Sequence, residues 1–233
     1  MNALKHALSE IINSGSDPNP AMKMIIDSYA KYHAIMVIVC GGLLVLFLLL
    51  GGFFLYQLKK DTNKRFKFEK KVYVYFGSLS FILALFMTLL VVANATNTMN
   101  PLKGLSLAYE PSVSSEEIYT DELHLTFNEW IQKGEREVPA IIQKEIDGRI
   151  MMHSRNIIKY GIVLVISVTL SLNLWNSLIK KAKNNNLTWS LKDKGYFIMG
   201  NITVVLSVFS LIVVIANTQG ALAPLTAFMV GFL

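Results

Sequence analysis

Few side chains in this sequence could do chemistry, and most of them lie at the margins of long apolar runs. Asn94 and Asn217 each fall seven residues before a proline, Pro101 and Pro224, near the expected outer end of an uncharged stretch. An amide there needs hydrogen-bond partners from a neighbouring helix, a freed backbone carbonyl or a water-filled path. Helix glue, or a C-terminal cap exploiting asparagine's tolerance of left-handed backbone, is preferred to pore lining. His33, close to Lys31, reads as an interfacial side chain. Asp121, Glu122, His124, Glu129 and His153 could be gathered into a metal site, but their spacing matches no ligand motif. A solvated acidic face is expected instead, with no metal. Cys40 is the single cysteine, which excludes a disulfide framework and reads as an apolar filler. No Gly-rich phosphate loop, nucleophile elbow or paired carboxylate stands out. The expectation is a protein that is not an enzyme and has no cofactor.

The elements that position these residues follow from composition. The chain has 233 residues, 53% of them hydrophobic and 16% charged, with a mean hydropathy of +0.44. Ordinary soluble domains carry about 25% charged residues, so a water-soluble globule is not expected. Uncharged runs of roughly 20 residues can cross a bilayer core as helices, and four places qualify, near 33–58, 72–96, 158–179 and 195–218. No charged residue falls inside any of the four uncharged runs, apart from positions at their margins. Proton relays, ion-coupled carriers and voltage sensors normally need such residues, which argues against a motor or secondary transporter.

Loop 59–71 has seven basic and two acidic residues, and loop 180–194 has five against one. The N-terminal 32 residues are balanced, and loop 97–157 is acidic overall with ten Asp or Glu. By the positive-inside rule, loops 59–71 and 180–194 are cytoplasmic and both termini lie outside. A bacterial inner membrane fits this pattern. The basic loops answer to topology and anionic lipid, so no nucleic-acid partner is expected.

The chain also repeats itself. Shifted by 123 residues, positions 73–102 give nine identities in 30, including Tyr73 with Tyr196, Gly77 with Gly200, Asn94 with Asn217 and Pro101 with Pro224. Shifted by 119, polar sequence matches as well: Glu10 with Glu129, Gly15 with Gly134, Pro20 with Pro139. Leu4, Ala7, Leu8, Ile11 and Ile12 form a one-faced helical stripe, repeated by Leu123, Phe127, Trp130 and Ile131. Gly77 and Gly200 are expected to permit close helix approach. Gly15, Pro20, Gly134, Pro139, Pro101 and Pro224 mark breaks between elements.

The expected fold is an all-α integral membrane protein. Its four transmembrane helices form two tandem parallel hairpin repeats with an external amphipathic-helix cap. Residues 1–102 make repeat 1, 103–119 a linker, and 120–233 repeat 2 with an apolar C-terminal tail. That tail, uncharged from Gln219 to Leu233, is expected to turn near 219–224 and fold back rather than trail into water. The leading functional reading is an oligomeric structural or pore-forming membrane subunit. Its partners would be membrane lipid and copies of itself, or other membrane subunits, met through the external helices and the tail. The alternatives are a membrane sensor or effector, for example in bacterial phage defence, signalling to a cytosolic partner, or an accessory subunit of a secretion, conjugation or energy-transducing complex.

Overall fold

A computed structural model describes residues 3–60, 67–108, 122–183 and 190–230. It is all-helical, with no strand among the described residues. In chain order the helices are α1 (Ala3–Ser14), α2 (Pro20–Lys60), α3 (Lys67–Met99), α4 (Pro101–Ala108), α5 (Glu122–Lys133), α6 (Ala140–Lys183), α7 (Leu191–Leu222) and α8 (Pro224–Val230). Four of them, α2, α3, α6 and α7, are long and apolar enough to cross a membrane. Their boundaries exceed the uncharged runs. α2 begins at Pro20 and α6 at Ala140, because no proline interrupts either stretch and each amphipathic lead-in continues into its span as one rod.

The breaks have local causes. Gly15 and Gly134 adopt φ of 66° and 68°, the left-handed region that glycine enters without a Cβ penalty. Each closes its helix with an N–H to carbonyl bond of 3.0 Å, Gly15 to Ile11 and Gly134 to Trp130. Asn19 caps α2 by accepting the Met22 N–H at 2.9 Å, just before Pro20 in the first helical position. Pro101 and Pro224 open α4 and α8 in the same favoured position. Pro139 immediately precedes α6 and accepts the Gln143 N–H at 2.9 Å. Ser190 and Asp193 form a reciprocal cap at the start of α7. The Ser190 N–H donates to Asp193 Oδ2 at 2.7 Å, and the Asp193 N–H donates to Ser190 Oγ at 3.3 Å.

The chain divides into two compact units. The first comprises 1–38, 91–154 and 217–233. Its core joins Leu4 and Leu8 of α1, Met22 and Ile25 of α2, Phe127 and Trp130 of α5, Ile142 of α6, and Phe228 and Met229 of α8. The amphipathic faces of α1 and α5 are therefore largely buried within this chain, with Ile12 of the α1 stripe left exposed, and α1 packs on α5 and α4. The tail turns at Ala223 and forms α8, with Leu225 to Met229 all buried. Arg149 secures it by donating to the Ala227 carbonyl at 3.3 Å, its guanidinium 5.9 Å from the Phe228 ring centre. α4 extends helix into the stretch read as linker, because Leu105 is fully buried and Gly104 packs against Tyr29 and Asn97. The rest of that linker, 109–119, lies outside the described residues.

The second unit comprises 39–90 and 155–216. Aromatic rings pack its helices together. Phe54 of α2 stacks on Phe76 of α3 at 5.9 Å, and Phe76 meets Trp175 of α6 edge-on at 5.3 Å. Trp175 in turn meets Phe197 of α7 at 5.6 Å. Val72, Trp175 and Leu178 form the buried centre of this cluster. The acidic side chains near the basic turns are engaged: Glu69 with Lys183 at 3.0 Å and with the Tyr73 hydroxyl at 2.5 Å, and Asp193 with Lys181.

Candidate functional site: two histidine–asparagine pairs and the faces of the spans

Asn94 lies inside α3, five residues before its end, and Asn217 lies five residues before the end of α7. Neither is a helix cap. Each reaches across to a histidine on the preceding long helix. Asn94 Oδ1 is 2.7 Å from Nδ1 of His33 on α2, and Asn217 Oδ1 is 2.9 Å from Nδ1 of His153 on α6. With an amide oxygen facing the ring, Nδ1 is the donor in each pair. All four side chains are half-buried. In each case a polar link ties a helix to the one that follows it, a use of polar side chains that suits a poorly hydrated setting.

Close packing surrounds both pairs. The Tyr29 ring sits edge-on to His33 at 4.4 Å, and Tyr32 at 5.5 Å. A Cβ placed at Gly220 would meet the His153 ring at 2.5 Å, so only glycine lets α7 pass that imidazole without displacing it. Gln219 donates to the Tyr32 carbonyl at 3.2 Å, and Ser28 exchanges a 2.9 Å bond with Thr226 of α8.

Gly77 and Gly200 both lie against a neighbouring helix. A Cβ at Gly77 would meet Phe54 at 3.4 Å, and one at Gly200 would meet the Trp175 indole at 3.0 Å. A Cβ at Gly51, in one of the two glycine doublets of α2, would meet the Phe81 ring at 2.9 Å, whereas Gly41, Gly42 and Gly52 face open space. Cys40 is buried.

The other histidine of the acidic loop, His124, is buried on α5. Glu129 pairs with Lys133 at 2.7 Å on the exposed side of α5, which raises the Lys133 pKa above its ordinary value. Asp121 lies outside the described residues. Among the described residues no three of His, Cys, Asp and Glu gather as a metal set.

From sequence, His33 reads as interfacial and His153 as part of an acidic face, and neither is paired with an asparagine as the structure pairs them. Their signal was the 120-residue spacing of His33 and His153, close to the 119 and 123 of the other matches.

Hydroxyls line the inner faces of the second unit. Ser80, Ser167, Ser171, Thr203 and Ser210 are buried there, Ser210 completely. Ser167 and Ser207 share a 2.8 Å bond between α6 and α7. On the outside of α3, Lys70, Lys71, Val74, Tyr75, Ser78, Leu79 and Ile82 line an open, apolar groove of about 560 Å³.

The outward faces of the spans are uncovered. Of the most apolar 18-residue window in each long helix, 22% is buried in α2, 22% in α3, 11% in α6 and 28% in α7. Large apolar side chains such as Leu49, Ile82, Val165 and Val205 are correspondingly exposed. No protein family, no curated protein and no solved structure matches this chain.

Proposed function

We propose that this chain is a non-enzymatic polytopic subunit of an oligomeric membrane assembly, structural or pore-forming, built from two tandem repeats. The observation that carries the reading is the contrast between self-sealed external helices and bare spans. Most of the apolar faces of α1, α5 and α8 are buried within the chain, which leaves the spans as the larger surface open to partners. The spans leave most of their apolar surface to lipid or to other copies. The hydroxyls of the second unit are buried within one copy, so this reading places any conduction path between copies.

Several equivalences support the repeat. The His33–Asn94 and His153–Asn217 bonds fall at matching positions, as do the positive-φ glycines Gly15 and Gly134. Backbone bonds from Asn100 to Thr96 and from Ala223 to Gln219 stand 123 residues apart, each just before the proline that opens a short helix. In this reading each repeat is a hairpin whose basic turn is cytoplasmic and whose helical cap, with both termini, is outside a bacterial inner membrane. The 560 Å³ groove beside Lys70 and Lys71 suits an acyl chain with an anionic headgroup.

Native mass spectrometry of the full chain in lipid nanodiscs tests the assembly. A mass that is a multiple of 26.1 kDa is expected, and a monomer at every concentration refutes the reading. Conductance in planar bilayers then separates a pore from a structural subunit.

A further inference from the structure

We propose that two copies of this chain meet face to face across α6, with Asn173 and Asn176 of one copy bonded to the same amides of the other. The inference rests on the oligomeric reading above and names its interface.

α6 is the span least buried by its own chain, at 11% against 22–28% for the others. Its outward stripe is Ile158, Ile162, Val165, Thr169, Leu172 and Asn176, all exposed. These positions alternate by four and three residues, the spacing of a seam between two helices. Asn173 lies beside the stripe and is exposed too. Neither side-chain amide, Asn173 or Asn176, has a hydrogen-bond partner among the described residues. Thr169 and Ser177, by contrast, satisfy their hydroxyls on their own helix, at the Val165 and Asn173 carbonyls.

Depth makes the bare amides significant. Lys159 and Lys180 flank the span and lie 21 residues apart. At about 1.5 Å per residue that distance is about 31 Å, close to the hydrocarbon thickness of about 30 Å. Asn176 is four residues and Asn173 seven residues inside Lys180, about 6 and 10 Å into the core. An amide at that depth is expensive without a partner.

A second copy in the same orientation supplies that partner. Across a two-fold axis along the membrane normal, each amide meets its own kind at its own depth, and an amide carries both donor and acceptor. A polar residue on such a seam also sets register. The corresponding face of α2, offset by the same 120 residues as the two histidines, carries Leu49, Phe53 and Tyr56 instead. Those side chains are at home in lipid, so the polar seam belongs to α6 alone.

Cysteine cross-linking of the full chain in native membranes, in a Cys40→Ala background, tests the interface. Asn173→Cys and Asn176→Cys should form cross-linked dimers about tenfold faster than Phe53→Cys or Ile202→Cys. That margin is what a specific contact gives over random collision, and it corresponds to about 1.4 kcal/mol. Equal rates at all four positions overturn the proposal. So does capture of a different protein, or free labelling of the two α6 cysteines by a membrane-impermeant thiol reagent. As a second measurement, Asn173→Leu with Asn176→Leu should lower the dimer fraction in vesicles about tenfold, by the same conversion, and an unchanged fraction overturns it. If native mass shows an oligomer while the α6 cysteines stay uncross-linked, the oligomeric reading stands and this interface fails. A monomer removes both.

Discussion

Phe228 offers a direct measure of what holds the C-terminal segment in place. The side chain is 1% exposed, its ring 6.0 Å from that of Phe127, and the Arg149 guanidinium lies 5.9 Å from its centre. An aromatic side chain buries about 150–250 Å². At about 25 cal/mol per Å², the low end of that range already gives about 4 kcal/mol. This agrees with the about 3–5 kcal/mol measured for Phe→Ala in cores. α8 is only seven residues long, too short to persist as a helix without tertiary contacts. Phe228→Ala should therefore release α8 locally before the rest of the molecule unfolds. A loss of 3 kcal/mol multiplies the open population by about a hundredfold. Hydrogen exchange at the Ala227 amide, which bonds the Ala223 carbonyl at 3.1 Å, should accelerate by about that factor, while the amides of α3 keep their protection. Exchange within threefold of the unsubstituted chain would mean that the ring contributes no more than about 0.7 kcal/mol and does not hold α8 in place.

Other perturbations separate contacts from propensity. Gly220→Ala should swing the His153 ring off Asn217 and destabilise by about 1–3 kcal/mol, the penalty for stranding buried polar groups, measured by thermal unfolding in detergent. Gly148→Ala, where an added Cβ meets nothing within 4 Å, should instead stabilise α6 by about 0.5–1 kcal/mol. Ser190→Ala removes the reciprocal cap of α7 and should cost about 1 kcal/mol in the same assay. For orientation, a cysteine at Ser14 should react with an impermeant thiol reagent on intact spheroplasts and one at Lys60 should not. The reverse labelling overturns the assigned topology.

Much of the architecture was legible because it depends on local rules. Uncharged length marks a span, a glycine before a proline marks a break, and Asn94 and Asn217 stood out because amides are rare in apolar sequence. The tail was legible for the same reason, since its uncharged residues had to find cover. Helix boundaries were less so. An amphipathic lead-in and a span differ in what surrounds them and not in backbone conformation, so α2 and α6 begin well before the spans placed near 33–58 and 158–179. α4 was missed because Gly104 and the nearby serines resemble a linker until the packing of Leu105 and Tyr29 is seen.

Composition and periodicity by themselves determined that this chain is helical, that four helices are apolar enough to cross a bilayer, and where the chain must turn. Each of these follows from a residue and its near neighbours. Packing between helices far apart in the chain is what brings α1, α5 and α8 into one core and Asn94 and Asn217 onto His33 and His153. It alone showed that Gly51 faces a ring while Gly52 faces open space, and that Asn173 and Asn176 point outward without a partner. The bonded pairs are 61 and 64 residues apart, beyond the reach of any local pattern. A span that is apolar on every side also carries no periodic signal of which face turns inward. That choice belongs to the contacts between helices.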